Sequence, residues 1–300
     1  MTTPRKVALV GASVVIVGVV LALALPSPGR DEEFMPADEF KLYPMVLLKL
    51  GPLDMSINKA VIYVLLACAL ATITMVWIAR RMQGRPNRVQ TAVEATYDLT
   101  FNNIARGNMD PQMAAKWFPF VATLFFFIWF SNMIGYIPLP LNNGEPVHVF
   151  GLEIPSIGIY AATANLSIPL ALSLVVWLSY HFEGVREKGG IGYLKSWVPA
   201  GVSGPAAVPI FGIEVISHFV RIISLSVRLY ANMLAGHLLI LFMAGGLAVI
   251  LGLAAVAVFT VPVAVVFFLF EIVLIATLQA FIFATLTAIY LGEATAAEGH

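Results

Sequence analysis

Long apolar runs broken by short polar stretches dominate this chain. A helix that spans a bilayer needs about 20 apolar residues, and runs of that size fall at about 58–78, 117–137 and 159–182. Two longer runs, about 206–243 and 247–291, fill the C-terminal third. Each exceeds what an upright helix requires, which predicts strong tilt or partial lie in the interface. Gly245, Gly246 and Gly252 in MAGGLAVILG weaken helix and mark a turn between the two. Another run, 7–25, follows the basic start MTTPRK. It reads either as a signal peptide ending before PSPGR or as a retained anchor; its ~19 apolar residues and the lack of an A-x-A site favour the anchor. Residues 89–114 read as an amphipathic interfacial segment. YPMVLLKLG is too short to span, and no repeat of fixed period appears.

The expected fold is an all-α polytopic membrane protein. It has five core membrane helices plus a possible N-terminal helix, and the last two are long, tilted and paired as an antiparallel hairpin. Residues 1–57 form an anchor or signal segment and an external polar stretch, and residues 58–300 form the membrane domain.

Loop charges orient the spans. Four arginines lie between positions 80 and 88, and Arg186, Lys188 and Lys195 follow the fourth run, so both places are cytoplasmic by the positive-inside rule. Residues 26–56 hold the acidic stretch GRDEEFMPADEF, and 138–158 has Glu145 and Glu153 with no Lys or Arg, so both belong outside. The last helix then runs inward and leaves GEATAAEGH in the cytoplasm. Composition agrees with a membrane class: 60% of the residues are hydrophobic and 11% charged, against about 25% charged in a soluble domain. Seventeen basic residues balance 17 acidic ones, so charge points to no nucleic acid partner. The single cysteine, Cys68, lies in an apolar run and supports neither a disulfide nor a metal framework. No cofactor is expected.

Against this apolar background, Arg228 stands out. Guanidinium keeps its proton, and a charge at membrane depth costs about 2.5–3.5 kcal/mol on insertion scales, so it must face water or a charged partner. Glu214, Arg221 and Asn232 lie 14 and seven residues before it and four after it, near one helical face. Ser224 and Ser226 flank it. Glu214 is then about 21 Å toward the cytoplasm and His237 about 13 Å toward the outside. On the last helix, Glu271 and Gln279 are eight residues apart. With Gln279 level with Arg228, Glu271 falls level with His237, and an acid beside an imidazole is the make-up of proton relays.

Each residue also has a plainer reading. Arg228 pairs with a buried acid for structure alone, His237 hydrogen-bonds across helices, or Glu271 is a neutral packing acid. Asn232 and Gln279 are amides of the kind that join membrane helices. Arg221 reads best as a snorkelling side chain. His218 either snorkels or lines an inner route, and Asn132 either lines a cavity or joins helices.

The string SLSVRLYANMLAGH resembles the signature of the subunit a family of F-type ATP synthases, S-L-x-x-R-L-x-x-N-M-x-A-G. TLQAFIFATLTAIYL resembles its second signature, and FIWFSNMIGYIPLP and TANLSIPLALSL resemble two earlier segments, in the family's order across about 58–291. The resemblance implies a proton-channel subunit beside a rotor ring of c subunits, with peripheral-stalk b subunits, the soluble catalytic ATPase sector and the lipid bilayer as its other partners. Arg228 would separate two aqueous half-channels, with Asn232, Gln279 and Ser224 around it. Glu214 would lie on the cytoplasmic exit, and His237, Glu271 and Asn132 on the outer intake. The chain would be non-catalytic alone; no G-x-x-x-x-G-K-[ST] loop is present. A bacterial plasma membrane fits the start of the sequence better than a mitochondrial origin.

Three departures from the family pattern stand out. His237 follows Ala-Gly where an acid is frequent, and Glu271 takes a position where some members have His, as if the pair were exchanged. Glu271 precedes Gln279 by eight residues where seven is expected, which leaves its facing open. Asn165 stands where an acid is common. The rival reading, a secondary transporter, predicts an internal repeat and a midplane pocket. A membrane enzyme would need a clustered metal or nucleophile site, and the five histidines are scattered.

Overall fold

The structure is a computed structural model that describes residues 40–50, 53–54, 56–82, 87–149, 152–199, 202, 204–247, 250 and 254–296. The expected N-terminal span at 7–25 and Gly252 lie outside the described residues. Five helical stretches are long and apolar enough to cross a membrane. The protein is therefore an all-α, multi-pass membrane protein at its core.

Helix α1 is Lys59–Arg80, started by Asn58, whose side chain accepts from the Val61 N–H over 3.2 Å. Asn87 caps helix α2, Arg88–Asp98, in the same way. Helix α3 is Pro111–Gly135. It begins six residues before the expected 117, because Pro111 has the fixed backbone angle that suits a first helical position. Helix α4 is Ser167–Lys188, not 159–182. Ala162–Ala164 form a 3-10 turn instead, and the Asn165 side chain accepts from the Ser167 N–H over 3.0 Å to start the helix there. Arg186 and Lys188 consequently end α4 rather than lie in a loop, where cations oppose the helix dipole favourably. Gly189, at φ 72°, then reverses the chain into the short helix α5, Gly190–Lys195.

Helix α6 is Ala207–Leu241, continued by a π-helical turn at Phe242–Gly246. Gly245 and Gly246 thus lie within helix rather than ending it. Helix α7, Ala254–Phe270, joins α8, Ala276–Thr295, through a second π-helical turn at Glu271–Ile275. At 1.5 Å per residue, the 35 residues of α6 extend about 52 Å.

Some strand accompanies the helices. The stretch 138–158, expected as a loop, is an antiparallel hairpin of β5, Leu139–Val149, and β6, Leu152–Gly158, with Val149 opposite Leu152. Alternation in VHV and LEI around Phe150-Gly151 is a strand pattern. Two small ladders, Pro44–Val46 with Ile57–Asn58 and Lys49–Leu50 with Leu53–Asp54, precede α1 and supply β1 to β4.

The core is packed through α8, which lies against α3, α4 and α6. Ala276, Ala280, Ala284 and Ala288 repeat every four residues and are fully buried. That spacing makes one ridge of small residues, along which helix backbones approach closely. Phe125, Ile128, Leu229, Met233, Phe283 and Leu291 fill the remaining space. Lys116 of α3 forms an ion pair with Glu183 of α4, whose side chain is completely buried.

Candidate functional site

The polar residues of α6 divide between two faces. Leu225, Leu229, Met233, Gly236 and His237 are buried against the bundle. Ser224, Val227, Arg228, Ala231, Asn232 and Ala235 are exposed on the opposite side. Arg228 lies one turn from Ser224 and one from Asn232, so the three form a polar stripe on an otherwise apolar surface. Among the described residues no acid pairs with Arg228. The purely structural reading, an arginine neutralised by a buried acid within the chain, finds no partner there.

Toward the C-terminal end of α6 lies a buried cluster. The His237 ring has Nδ1 2.9 Å from the Met233 carbonyl and Nε2 3.2 Å from the Gly135 carbonyl. Both partners only accept, and a neutral imidazole carries one N–H, whereas the imidazolium carries two. The ring can therefore gain or lose a proton without turning. Tyr136 connects it to Glu271: its ring lies 4.7 Å from that of His237, and its hydroxyl donates to Glu271 Oε2 over 3.0 Å. The Glu271 carboxylate lies directly over Gly236, where a Cβ would overlap it. Acid and imidazole thus share one depth, with the phenol between them.

Asn132 braces this cluster. Its Oδ1 accepts from Thr163 Oγ1 over 2.7 Å and its Nδ2 donates to the Ala276 carbonyl over 3.3 Å. Its amide is engaged in joining helices.

The eight-residue spacing from Glu271 to Gln279 has a structural explanation. In unbroken α-helix, eight residues rotate a side chain about 80° off the starting face, and seven only about 20°. At Glu271–Ile275 the backbone N–H of Ala276 donates to the Glu271 carbonyl, five residues back. This π turn absorbs the extra residue. Glu271 and Gln279 are both buried as a result, at 8% and 4% exposure. No hydrogen bond joins Gln279 to Arg228, because the first faces into the bundle and the second away from it.

At the N-terminal end of α6 is a cavity of about 260 Å³ lined in part by Glu214, His218 and Arg221. Arg221 has partners within the chain. It reaches Glu293 of α8 at 2.8 Å and Glu214 at 3.8 Å, and stacks over Tyr290 at 4.7 Å. His218 is buried beside Glu214, its Nε2 3.7 Å from Oε1, while its Nδ1 is 3.0 Å from the Tyr180 hydroxyl. Behind it, His181 Nδ1 is 2.7 Å from the Tyr193 hydroxyl, which the turn at Gly189 folds back onto α4.

The sequence reading did not single out Tyr136, Tyr180, His181, Tyr193 or Glu293. Tyr136 stands beside the Asn132 segment in SNMIGYIP, and His181 is a lone imidazole near the end of an apolar run. Those were the available signals. Glu293 had none, being one acid in a polar tail.

Residues 61–292 match the model of a family described as ATP synthase A chain. A protein of Rubrobacter xylanophilus named ATP synthase subunit a is 36% identical over 256 residues, covering 85% of this chain and 90% of that protein. Proteins of the same name from Paramagnetospirillum magneticum and Hyphomonas neptunium are 34% and 31% identical, over 86% and 88% of this chain and 97% of each relative.

Proposed function

The chain belongs to the ATP synthase A chain family, and on that premise we propose that it is the stator of a rotary proton path, holding two offset half-channels beside a ring of c subunits. The observation that carries this reading is the placement of Arg228. It is exposed and without an acidic partner among the described residues, and it lies on one helix between two separate polar clusters. A fixed charge on an apolar face requires a partner from outside the chain, and a rotor carboxylate is one.

The mechanism is electrostatic. A rotor carboxylate is neutral when it faces lipid, since an exposed charge there is costly. Protons enter from outside by His237, Tyr136 and Glu271, with Asn132 holding the helices that frame them. Rotation brings the next protonated acid to Arg228, whose charge favours the carboxylate and drives the proton off. Ser224 and Asn232 extend the polar stripe that the acid crosses, and Gln279 lies behind it within the bundle. The proton leaves through the Glu214 cavity to the cytoplasm. Arg228 also bars direct leakage between the two clusters. Each charge crossing supplies about 2.3 kcal/mol per 100 mV, in addition to the pH gradient.

By the basic-loop asymmetry the Glu214 end and the C-terminus are cytoplasmic, in a bacterial plasma membrane. Peripheral-stalk b subunits would hold the chain still against the ring, and the soluble sector would carry the catalysis. Residues 58–300 act as the channel domain.

ATP-driven proton pumping by vesicles carrying the whole complex tests the reading. Arg228→Ala should assemble normally and abolish pumping, and coupled pumping at the wild-type rate would refute the assignment. If that variant does not assemble, Arg228→Lys should assemble and still pump poorly, because a flexible ammonium does not reproduce guanidinium geometry.

A further inference from the structure

We infer that His218 is itself a proton carrier at the Glu214 end, with Tyr180 as the residue that positions it. The inference rests on the exit path proposed above and adds a step to it. A carrier needs a lone pair open to the donor and a fixed orientation, and the surroundings of His218 supply both. Its Nε2 is buried without a hydrogen-bond partner and lies 3.7 Å from Glu214 Oε1, at a cavity large enough for water. Its Nδ1 is anchored 3.0 Å from the Tyr180 hydroxyl. With Nδ1–H donating to the phenol oxygen, the Nε2 lone pair faces Glu214 and the cavity.

The step balances as a proton transfer. Protonated Glu214 gives its proton to Nε2, leaving a carboxylate and an imidazolium, and the imidazolium then releases the proton to cavity water. The charged and titratable groups around the ring promote release as well as uptake. Arg221 on α6 repels the imidazolium and holds Glu214 at 3.8 Å and Glu293 of α8 at 2.8 Å. Tyr290 of α8 lies beneath Arg221. From α4 the His181 ring lies 4.8 Å from His218, and it is itself tied to Tyr193 of α5. Trp197 closes the remaining side at 4.4 Å. A ring held only for packing would leave no polar atom aimed at an acid across a cavity.

The experiment is ATP-driven pumping by inverted vesicles carrying the assembled complex, with free imidazole as the probe. His218→Ala opens space beside the cavity and should slow pumping about tenfold. That falls short of the roughly hundredfold or more typical of a positioned acid–base group, because cavity water still conducts. Imidazole added to the Glu214 side should restore the rate of this variant while leaving wild type unchanged. An assembled His218→Ala complex that pumps normally, or that is slow and indifferent to imidazole, overturns the inference. Should His218→Ala not assemble, His218→Gln fills the space and can bond Tyr180 but takes up no proton; slow pumping supports the inference and wild-type pumping ends it. Glu214→Gln separates the two levels. If it is slow while the His218 variants are normal, only this inference fails, and if it too pumps normally, the exit path fails with it.

Discussion

The carboxylate of Glu271 occupies the space that a side chain at Gly236 would fill. The Glu271 side chain, from the π turn between α7 and α8, therefore rests against the backbone of α6, directly beside His237. In Gly236→Ala the new methyl group must displace the carboxylate, and because that is the far end of a flexible side chain the cost falls near the low end for overpacking, about 1 kcal/mol. The expected outcome is a complex that still assembles, melts at a lower temperature and pumps more slowly than wild type. Ala235→Gly, one position earlier on the exposed face, loses helix propensity without touching Glu271, and so measures how much of the slowing follows from stability alone. Unchanged pumping in Gly236→Ala would show that the position of Glu271 does not matter.

Tyr136→Phe removes the hydrogen bond that the phenol donates to the Glu271 side chain. A buried polar group left without its partner costs about 1–3 kcal/mol. The loss should be smaller in the double variant Tyr136→Phe/Glu271→Phe than the two single effects summed, as for any directly coupled pair. Thermal unfolding of the four proteins of the cycle measures this, and simple additivity would rule out the coupling.

The π turn makes a prediction about chain length. Deleting Val273, which is 69% exposed, should convert the turn to regular α-helix and leave Glu271 seven residues before Gln279 on nearly the same face. Pumping should survive the deletion. Inserting one alanine after Val273 should abolish it by swinging Glu271 off that face. Loss of pumping in the deletion with normal assembly would mean that the π geometry itself, and not the facing it restores, is required.

Lys116 and Glu183 tie α3 to α4. Lys116→Met leaves a fully buried carboxylate without its cation, at a cost of about 3 kcal/mol, the low end for such pairs because 38% of the Lys116 side chain is exposed. Adding Glu183→Gln should recover most of that stability. A detergent-solubilised melt compares them, and a Lys116→Met protein as stable as wild type would mean the pair contributes nothing.

Helix number and character were legible in the sequence because a spanning helix has a length and composition that few other elements share. Arg228 was legible for the same reason, as a charge in the wrong solvent. Helix ends were less so: the start of α4 depends on Asn165 bonding its own backbone, and its end on Gly189, and neither alters the apolar run. Glu214, His237 and Glu271 were accessible through spacing along two helices. Tyr136, His181, Tyr193 and Glu293 were not, because they enter the clusters from other helices and turns, and contacts of that range depend on how the helices pack. Arg221 illustrates the point. Its α6 neighbours suggest a snorkelling side chain, and Glu293, 72 residues later, holds it in place.

The length of α6 has a directional consequence. A rod of about 52 Å cannot stand upright in a film about 30 Å thick, so it leans, and leaning moves its two ends apart sideways. Glu214 and His237 are 23 residues, or about 35 Å, apart along that rod. The two mouths proposed at these ends are then staggered along the membrane plane as well as across it. On the proposed reading, a proton entering at one and leaving at the other would be carried laterally between them, and a gradient perpendicular to the membrane would thereby become a sideways push.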